Sequence, residues 1–287
     1  MSFPPLIINL APTGMVQTKA DNPNVPVTPD EIADDAARCV AAGASIVHLH
    51  ARDEDGIPTH RREVYAEIVE KVKARCGDVI VCVSTSGRRA SELEQRAEVL
   101  DLEGDLAPEL ASLTLGSMNF PKQASINDPA TIKCLAKRMR ERGITPELEV
   151  FDLGMVDYAR YLLERGVLRP PLSFNILLGN LGTLAATPLN LATVVRALPE
   201  RATWAAAGIG RFQLPMNALA VTTGGHVRVG LEDNLWLDTT KTRPAENLSL
   251  IERVVGLARA LEREIATPAQ ARELLGLPAR ASATSNA

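Results

Sequence analysis

One stretch of the chain decides the fold, Ser45-Ile46-Val47-His48-Leu49-His50-Ala51-Arg52-Asp53. Its apolar residues predict a buried β-strand over 45–51 that ends in polar side chains. Because successive side chains of a strand point to opposite faces, His48 and His50 share a face, with Cα atoms about 6–7 Å apart. Two imidazoles at that spacing can bind one metal ion, although two hydrogen-bonded structural histidines would give the same pattern.

The same alternation of a short apolar run and a longer helical pattern recurs along the chain. Predicted strands cover 6–11, 45–51, 79–85, 110–115, 147–151, 172–178, 204–209 and 226–232, and predicted helices cover 30–42, 63–75, 91–102, 129–142, 155–165, 189–198, 211–223 and 248–264. Strands that are apolar along their whole length are typical of a parallel sheet covered by helices. Eight βα units predict an α/β fold, a single-domain (β/α)8 TIM barrel over 1–278. A short extra C-terminal helix is expected over 267–277, and the polar tail 279–287 should fray.

An open, doubly wound sheet is the alternative fold, but no common nucleotide-binding motif supports it. The chain has no GxGxxG after the first strand and no GxxxxGK[ST]. A formal net charge of −4 without a Lys/Arg run argues against nucleic-acid binding. No apolar stretch reaches the roughly 18 residues that a membrane span needs. The N-terminus lacks the basic region of a signal peptide, and the four cysteines have no metal-binding spacing, so we expect reduced thiols in a cytoplasmic protein.

Polar side chains stand where the predicted apolar strands end. Active sites of such barrels lie at the C-terminal ends of the strands, so these residues form the candidate site. In chain order they are Asn9, Thr13, Gly14, His48, His50, Arg52, Ser84, Thr85, Ser86, Thr114, Ser117, Asn119, Glu147, Glu149, Asp152, Asn175, Arg228, Glu232 and Asp233. Any single serine or threonine among them could be a satisfied core hydroxyl. Their recurrence at one end of the barrel favours an active site.

Glu232 is the natural third metal ligand beside His48 and His50. Strand 8 borders strand 1, and strand 2 lies one strand beyond, so these ends can converge across the mouth of the barrel. Two neutral imidazoles and one carboxylate form a common catalytic zinc site with an open coordination position, and they also suit ferrous iron. Arg228 shares a face with Glu232, where it could hold a substrate carboxylate with two bonds or form a buried ion pair. Asp233 would face away from Glu232 in a regular strand, but at a bent strand end it could serve as a base.

Two other histidines and one glycine pattern are left outside this site. His60 follows the turn at 55–58 and is expected to be exposed, and His226 begins strand 8 at the opposite end of the barrel. Gly208-Ile209-Gly210-Arg211 could bind phosphate at the start of a helix or form a tight strand–helix turn.

Six segments of the chain resemble the β-keto acid cleavage enzymes, whose best-known members cleave 3-keto-5-aminohexanoate. They are Pro12-Thr13-Gly14, Val27-Thr28-Pro29-Asp30-Glu31-Ile32, the stretch from Ala42 to Asp53, Ser112-Leu113-Thr114-Leu115-Gly116-Ser117-Met118-Asn119-Phe120, Pro146-Glu147-Leu148-Glu149-Val150-Phe151-Asp152 and the stretch from Gly224 to Asn234. The resemblance extends over residues 6–277. It implies a zinc-bearing TIM barrel, usually a homotetramer, that takes a β-keto acid and acetyl-CoA to acetoacetate and a new acyl-CoA.

The resemblance also implies a role for each matching residue. His48, His50 and Glu232 correspond to the ligands of one zinc ion per chain, a position that another divalent ion could take. Ser84 and Thr114 match positions that hold the carboxylate and keto end of the substrate, and we expect Thr13 and Gly14 of the first loop to bind the substrate as well. Arg228 matches the arginine that pairs with Asp233, and Asp233 matches the catalytic base.

One position departs from the family pattern. Members that act on the aminohexanoate carry a glutamate just after the Thr-Gly of the first loop, placed for the ammonium group of the substrate. Here Thr13-Gly14 is followed by Met15-Val16-Gln17. Because an apolar Val16 cannot pair with an ammonium group, we expect a substrate with an uncharged tail.

Two other classes of protein share parts of the pattern. A metal-dependent hydrolase of the amidohydrolase kind also begins with a His-x-His pair on a barrel strand, but it usually needs further histidines on later strands. None occurs between His60 and His226. A non-catalytic metal-binding barrel would bind the ion without turnover, which the polar residues at the strand ends argue against.

Overall fold

Parallel strands close into a barrel in a computed structural model that describes residues 3–88, 92–120 and 123–278. Within these ranges the barrel strands are β1 (Ile8–Leu10), β2 (Ile46–Leu49), β3 (Ile80–Val83), β4 (Leu110–Thr114), β5 (Thr145–Val150), β6 (Ser173–Leu178), β7 (Thr203–Gly208) and β8 (His226–Val229). Each strand pairs in parallel with its neighbours in sequence, and β8 pairs with β1. Closure confirms the predicted TIM barrel and excludes the open sheet.

Helices cover the outer surface of the barrel. In the described residues they are α1 (Pro29–Ala42), α2 (Arg62–Cys76), α3 (Leu93–Ala97), α4 (Pro129–Glu141), α5 (Leu153–Glu164), α6 (Pro188–Ala197), α7 (Gln213–Thr223), α8 (Asn247–Ala260) and α9 (Pro268–Leu275). None of them is both long and apolar enough to cross a membrane. All four cysteines are free thiols.

Three predicted elements end earlier than expected or change type. β8 stops at Val229 because the next residue, Gly230, lies against β1: a Cβ there would be 2.1 Å from the Ala11 carbonyl oxygen. α8 stops at Ala260, and Glu262 takes a positive φ of 54° as the chain turns back toward β1. The helix predicted over 91–102 is α3 followed by a 3-10 turn over Glu98–Asp101. Its predicted first residue, 91, and the predicted tail 279–287 lie outside the described residues.

The inside of the barrel has two layers of different chemistry. The lower layer, near the N-terminal ends of the strands, is aliphatic and includes Ile7, Ile46, Ile80 and Leu110. The predicted extra helix, α9, packs against this layer through Ala271 and Leu275 and closes the bottom of the barrel. The upper layer carries His48, Glu147 and Arg228, all of them buried. Any substrate must therefore enter from the C-terminal ends of the strands.

Candidate metal centre and active site

Three predicted metal ligands converge at the mouth of the barrel. His48 lies near the end of β2, His50 follows the strand, and Glu232 lies on the loop after β8. The Nε2 atoms of His48 and His50 are 3.2 Å apart, and His50 Nε2 is 3.2 Å from Glu232 Oε1. All three ligand atoms lie within 4.8 Å of one another. The shared strand face predicted from the sequence thus brings both imidazoles to one point.

This donor set fits a tetrahedral divalent ion. Two ligands that each lie about 2.0–2.1 Å from such an ion are about 3.3–3.4 Å apart, close to the observed separations. The second carboxylate oxygen of Glu232 is buried and accepts no hydrogen bond from any described residue. Burial also lowers the pKa of His50, which keeps its ring in the neutral form that binds metals. Two imidazoles with one carboxylate suit zinc and also ferrous iron.

A buried carboxylate lies directly behind the first of these histidines. Glu147 Oε2 is 3.2 Å from His48 Nδ1, and Asn9 Nδ2 donates to Glu147 Oε1 at 2.5 Å. Carboxylates in this position fix the ring orientation and raise the basicity of metal-binding histidines. His48, Cys82 and Glu147 form a second convergent group. Both oxygens of Glu147 are engaged, by His48 and Asn9, whereas the second oxygen of Glu232 has no partner in the described residues, so the His48–His50–Glu232 set is the better metal site.

Arg228 joins three carboxylates beneath the mouth. Its Nε donates to Asp233 Oδ2 at 3.0 Å, Nη1 to Glu149 Oε1 at 3.3 Å and Nη2 to Glu232 Oε1 at 2.7 Å. The pairing with Asp233 agrees with the resemblance, and the ion pair with Glu232 is the alternative left open by the sequence. Because each guanidinium nitrogen is already engaged, Arg228 has no free fork for a substrate carboxylate.

The bend at Gly230 brings two consecutive acidic residues to the same arginine. Burial alone would raise the pKa of both Glu232 and Asp233. The Arg228 guanidinium holds the pKa of Glu232 well below its ordinary value. The pKa of Asp233 stays raised, because burial outweighs the attraction of Arg228 and the negative charge of Glu232 adds to the shift.

The predicted substrate-binding hydroxyls lie on the neighbouring strands. Ser84 follows β3 and is buried, with its hydroxyl oxygen accepting a hydrogen bond from Ser86 N at 3.2 Å. Thr114 ends β4, and its hydroxyl donates to Glu149 Oε2 at 2.6 Å. Thr114 therefore connects to Arg228 through Glu149. The sequence placed Glu147 and Glu149 at this end of the barrel but gave them no role; their spacing of two residues on one strand face was the available signal.

The first loop supports Glu232 from outside. A Cβ on Gly14, whose φ is +67°, would lie 2.6 Å from Glu232 Cγ. Gln17 Nε2 donates to the Glu232 carbonyl at 2.6 Å, and Arg52 Nη2 donates to the carbonyls of Gly14 and Gln17 at 2.8 and 2.7 Å. Thr13 donates its hydroxyl to the Pro26 carbonyl at 2.9 Å. Substrate binding by Thr13 and Gly14 stays a prediction, and the observed contacts are those of a support for the carboxylate ligand.

His60 differs from the sequence expectation. It is buried, with 7% of its surface exposed, and burial lowers its pKa to about 4. The prediction of an exposed residue was wrong because a small hairpin pairs Ala51–Arg52 with Pro58–Thr59 and folds the turn back onto the barrel. His226 lies outside the site as expected, at the start of β8, where its Nδ1 accepts a hydrogen bond from Ile7 N at 3.0 Å.

The glycine pattern after β7 forms a tight turn. A Cβ on Gly208 would lie 2.1 Å from the Phe212 carbonyl oxygen, so the chain can close there only with glycine. Gly210 N donates to the Asp233 carbonyl at 2.6 Å. The turn thus positions Asp233. The N–H group of Gly210 is engaged by a hydrogen bond within the protein.

Comparisons with known proteins show which family this chain belongs to. Residues 5–277 match the model of a family described as beta-keto acid cleavage enzyme. The chain is 42% identical over 273 residues to the 3-keto-5-aminohexanoate cleavage enzyme of Fusobacterium nucleatum subsp. nucleatum, covering 95% of this chain and 98% of that protein. It is 38% identical over 277 residues to the 3-oxoadipate:acetyl-CoA acetyltransferase of Cupriavidus necator, covering 96% and 95%.

A solved structure shares the fold. ObcA, in a ternary complex with a C4-CoA adduct and oxalate, superposes with a TM-score of 0.75 at 24% identity, covering 89% of this chain and 68% of that one. The likeness to ObcA concerns the barrel alone. The family match spans residues 5–277, and the two relatives, at 42% and 38% identity, cover 95% and 96% of the chain. This chain therefore belongs to the β-keto acid cleavage enzyme family.

Proposed function

We propose that this protein is a metal-dependent enzyme that takes a β-keto acid and acetyl-CoA to acetoacetate and a new acyl-CoA. The observation that carries the proposal is the convergence of His48, His50 and Glu232 above the Arg228–Asp233 pair. Relatives named 3-oxoadipate:acetyl-CoA acetyltransferase and 3-dehydrocarnitine:acetyl-CoA trimethylamine transferase support acetyl-CoA as the second substrate. A homotetramer, which the resemblance implies, stays a prediction that light scattering can test.

The products determine which bonds must change. Acetoacetate would combine the acetyl group with C1 and C2 of the β-keto acid, and the new acyl-CoA would keep C3 and the tail. C2 must therefore bond to the acetyl carbonyl carbon, and the CoA thiolate must leave that carbon and add to C3. The bond between C2 and C3 then breaks, and the acetoacetate carbanion takes up the proton that C2 lost at the start.

Asp233 is the group that we assign to this proton. It is buried and held by Arg228 Nε at 3.0 Å, which fixes the carboxylate as a base beside the site. Asp233 would remove the proton from C2 and return it to acetoacetate, so the enzyme ends each turnover unchanged. Ser84 and Thr114 would hold the carboxylate and keto end of the substrate. Glu147 would keep the His48 ring oriented.

His48, His50 and Glu232 would hold the metal, which we take to be zinc, an ion that this ligand set suits as it also suits ferrous iron. When bound, a divalent ion at this position supplies a Lewis acid for the keto group of the substrate.

The first loop favours an uncharged substrate tail. Val16 is 40% exposed and lies between Gly14 and Gln17, the two residues that contact Glu232. An apolar side chain at this edge of the mouth gives an ammonium group no partner. We therefore assign a β-keto acid without an amino group, although a close relative is named for the aminohexanoate.

A panel of three six-carbon 3-oxo acids tests the proposal. Zinc-loaded protein would be incubated with acetyl-CoA and 3-oxohexanoate, 3-keto-5-aminohexanoate or 3-oxoadipate, and acetoacetate would be measured. We expect more product from 3-oxohexanoate, whose tail is uncharged, than from either acid with a charged tail, and no product from an Asp233→Asn variant that keeps its metal. A clear preference for the aminohexanoate would contradict the assignment of the tail. No product from any acid, with one metal per chain, would instead favour the hydrolase alternative.

A further inference from the structure

A second arginine, Arg88, faces the mouth of the barrel, and its buried Nε has no hydrogen-bond partner in the described residues. Arg88 lies on the segment after β3, with its guanidinium carbon 3.5 Å from the centre of the Phe120 ring. Resting on the function proposed above, we propose that Arg88 binds a carboxylate of the β-keto acid and so helps to select the substrate.

Charge at the mouth creates the need for such a group. Glu147, Glu149, Glu232 and Asp233 surround the site, and the three nitrogens of Arg228 are already engaged with the last three of these. A substrate carboxylate that enters would meet this negative charge. A guanidinium can hold a carboxylate with two parallel bonds, and the guanidinium of Arg88 is paired with no carboxylate among the described residues.

Arg88 interacts electrostatically with these carboxylates but forms no ion pair with them in the described residues. Burial lowers the pKa of its guanidinium, and the charges of Glu232, Glu149 and Asp233 oppose that shift. In the described part of the chain, no carboxylate forms an ion pair with Arg88 like those of Arg228. Its charge therefore remains available to a bound anion.

The segment that carries Arg88 is braced on both sides. Buried Arg96 donates from Nε to the Thr85 carbonyl at 2.9 Å, and a Cβ on Gly87 would lie 2.7 Å from Arg96 Nη1. Gln123 Nε2 donates to the Arg88 carbonyl at 2.6 Å, and the Gln123 carbonyl accepts from Phe120 N at 2.9 Å. Gln123 thus fixes both the arginine backbone and the ring beneath its guanidinium, so Arg88 is positioned before a ligand arrives.

A purely structural stack on Phe120 is the competing explanation. Buried polar groups in folded proteins nearly always have a hydrogen-bond partner. The buried Nε of Arg88 has none in the described residues, whereas the buried Arg96 Nε next to it is satisfied. That difference favours a ligand over a stack that serves only stability.

The test compares Arg88→Gln and Arg88→Lys with Arg165→Gln. Arg165 also lies over an aromatic ring, Tyr161, at 5.2 Å, but it caps α5 at the opposite end of the barrel. Steady-state kinetics would be measured with 3-oxohexanoate and 3-oxoadipate at saturating acetyl-CoA. We expect Arg88→Gln to raise KM for the keto acid about 10- to 100-fold, the effect of losing hydrogen bonds to a charged group. Arg88→Lys should recover part of the loss, and Arg165→Gln should match the wild type.

The two substrates show which carboxylate Arg88 binds. A rise in KM with both acids would assign the C1 carboxylate, which both share. A rise with 3-oxoadipate alone would assign a carboxylate at the end of the tail. Unchanged KM for both acids would overturn the proposal, as would a rise confined to KM for acetyl-CoA, which is measured separately at saturating keto acid. If the wild type forms no acetoacetate, calorimetric binding of 3-oxoadipate still decides: weaker binding by Arg88→Gln supports the proposal, and equal binding overturns it.

Discussion

Replacing Gly14 with alanine should remove the metal at a modest cost in stability. The added Cβ would lie 2.6 Å from Glu232 Cγ, 3.1 Å from its Cβ and 3.3 Å from its Cα. Non-bonded carbon atoms prefer separations of about 3.5–4.0 Å, so the Glu232 side chain or the first loop must shift by about 1 Å. The loop has little freedom to move, because Arg52 and Gln17 hold it by hydrogen bonds.

A shift of that size exceeds what a metal site tolerates. Ligand distances in metal sites hold within about 0.2 Å, so Glu232 would no longer bind the ion in the same geometry. We expect metal affinity to fall by at least about 10- to 100-fold, the loss typical of disturbed supporting groups. A misplacement of about 1 Å also costs about 100-fold in kcat/KM. The positive φ of +67° adds backbone strain of about 1–2 kcal/mol for alanine, which lowers Tm by several degrees.

Gly166→Ala provides a matched control. Gly166 has the same φ of +67°, and a Cβ there would meet nothing within 4 Å. Both variants should therefore lose similar stability in the absence of metal, and only Gly14→Ala should lose metal and activity. Metal per chain would be measured by mass spectrometry, Tm with and without a chelator, and kcat/KM by acetoacetate formation. If Gly14→Ala keeps one metal per chain and a kcat/KM within about twofold of the Gly166→Ala value, the packing of Gly14 on Glu232 does not matter for the site.

The remaining predictions concern the ligand, pH and the substrate tail. Glu232→Ala should lose metal and activity but keep its circular dichroism and Tm without metal, because a barrel of this size folds without an ion; aggregation would show that Glu232 is structural. Burial lowers the pKa of His60 to about 4 and that of His226 to about 3, so below their ordinary value of 6.5 the unfolded chain binds protons that the folded chain does not. Between pH 6.5 and about 4, the free energy of unfolding should therefore fall by about 1.4 kcal/mol per histidine for each pH unit, and His60→Asn should remove the contribution of His60 in urea titrations at pH 7.5 and 5.5. Val16→Glu should give activity with 3-keto-5-aminohexanoate and lower activity with 3-oxohexanoate, and no change in the ratio would show that Val16 does not contact the tail.

The fold could be predicted because its signals are local. Apolar strands and helix caps are each determined by a few neighbouring residues. The capping box of Thr28 and Glu31 at the start of α1 is an example. The pair His48 and His50 could be placed on one face for the same reason. Apart from the 3-10 turn that ends α3, the differences are in the bounds, and β8 ended early because Gly230 approaches the carbonyl of Ala11, the residue after β1.

Contacts between distant segments could not be predicted in this way. The burial of His60 depends on a hairpin with two paired residues on each side, which is too short to leave a clear periodic pattern. One of the three bonds of Arg228 reaches Glu149, 79 residues away in sequence. That partner became evident only once β5 and β8 were placed in the same barrel.

The aliphatic lower layer of the barrel contributes mainly to stability, and the charged upper layer mainly to the chemistry of the site. Buried ion pairs lose much of their attraction to desolvation, so aliphatic residues in place of Arg228 and its carboxylates could give a barrel at least as stable. The lower layer shows that these strands accept such residues, since Ile46 lies two residues before His48 on the same face. The charged upper layer is therefore best explained by what it binds. The aliphatic lower layer and α9 offset the desolvation cost of these buried charges. Substitutions in the lower layer should change Tm more than activity, whereas replacing Arg228 alone should lower both, because it leaves the carboxylates of Glu149, Glu232 and Asp233 buried without their cation.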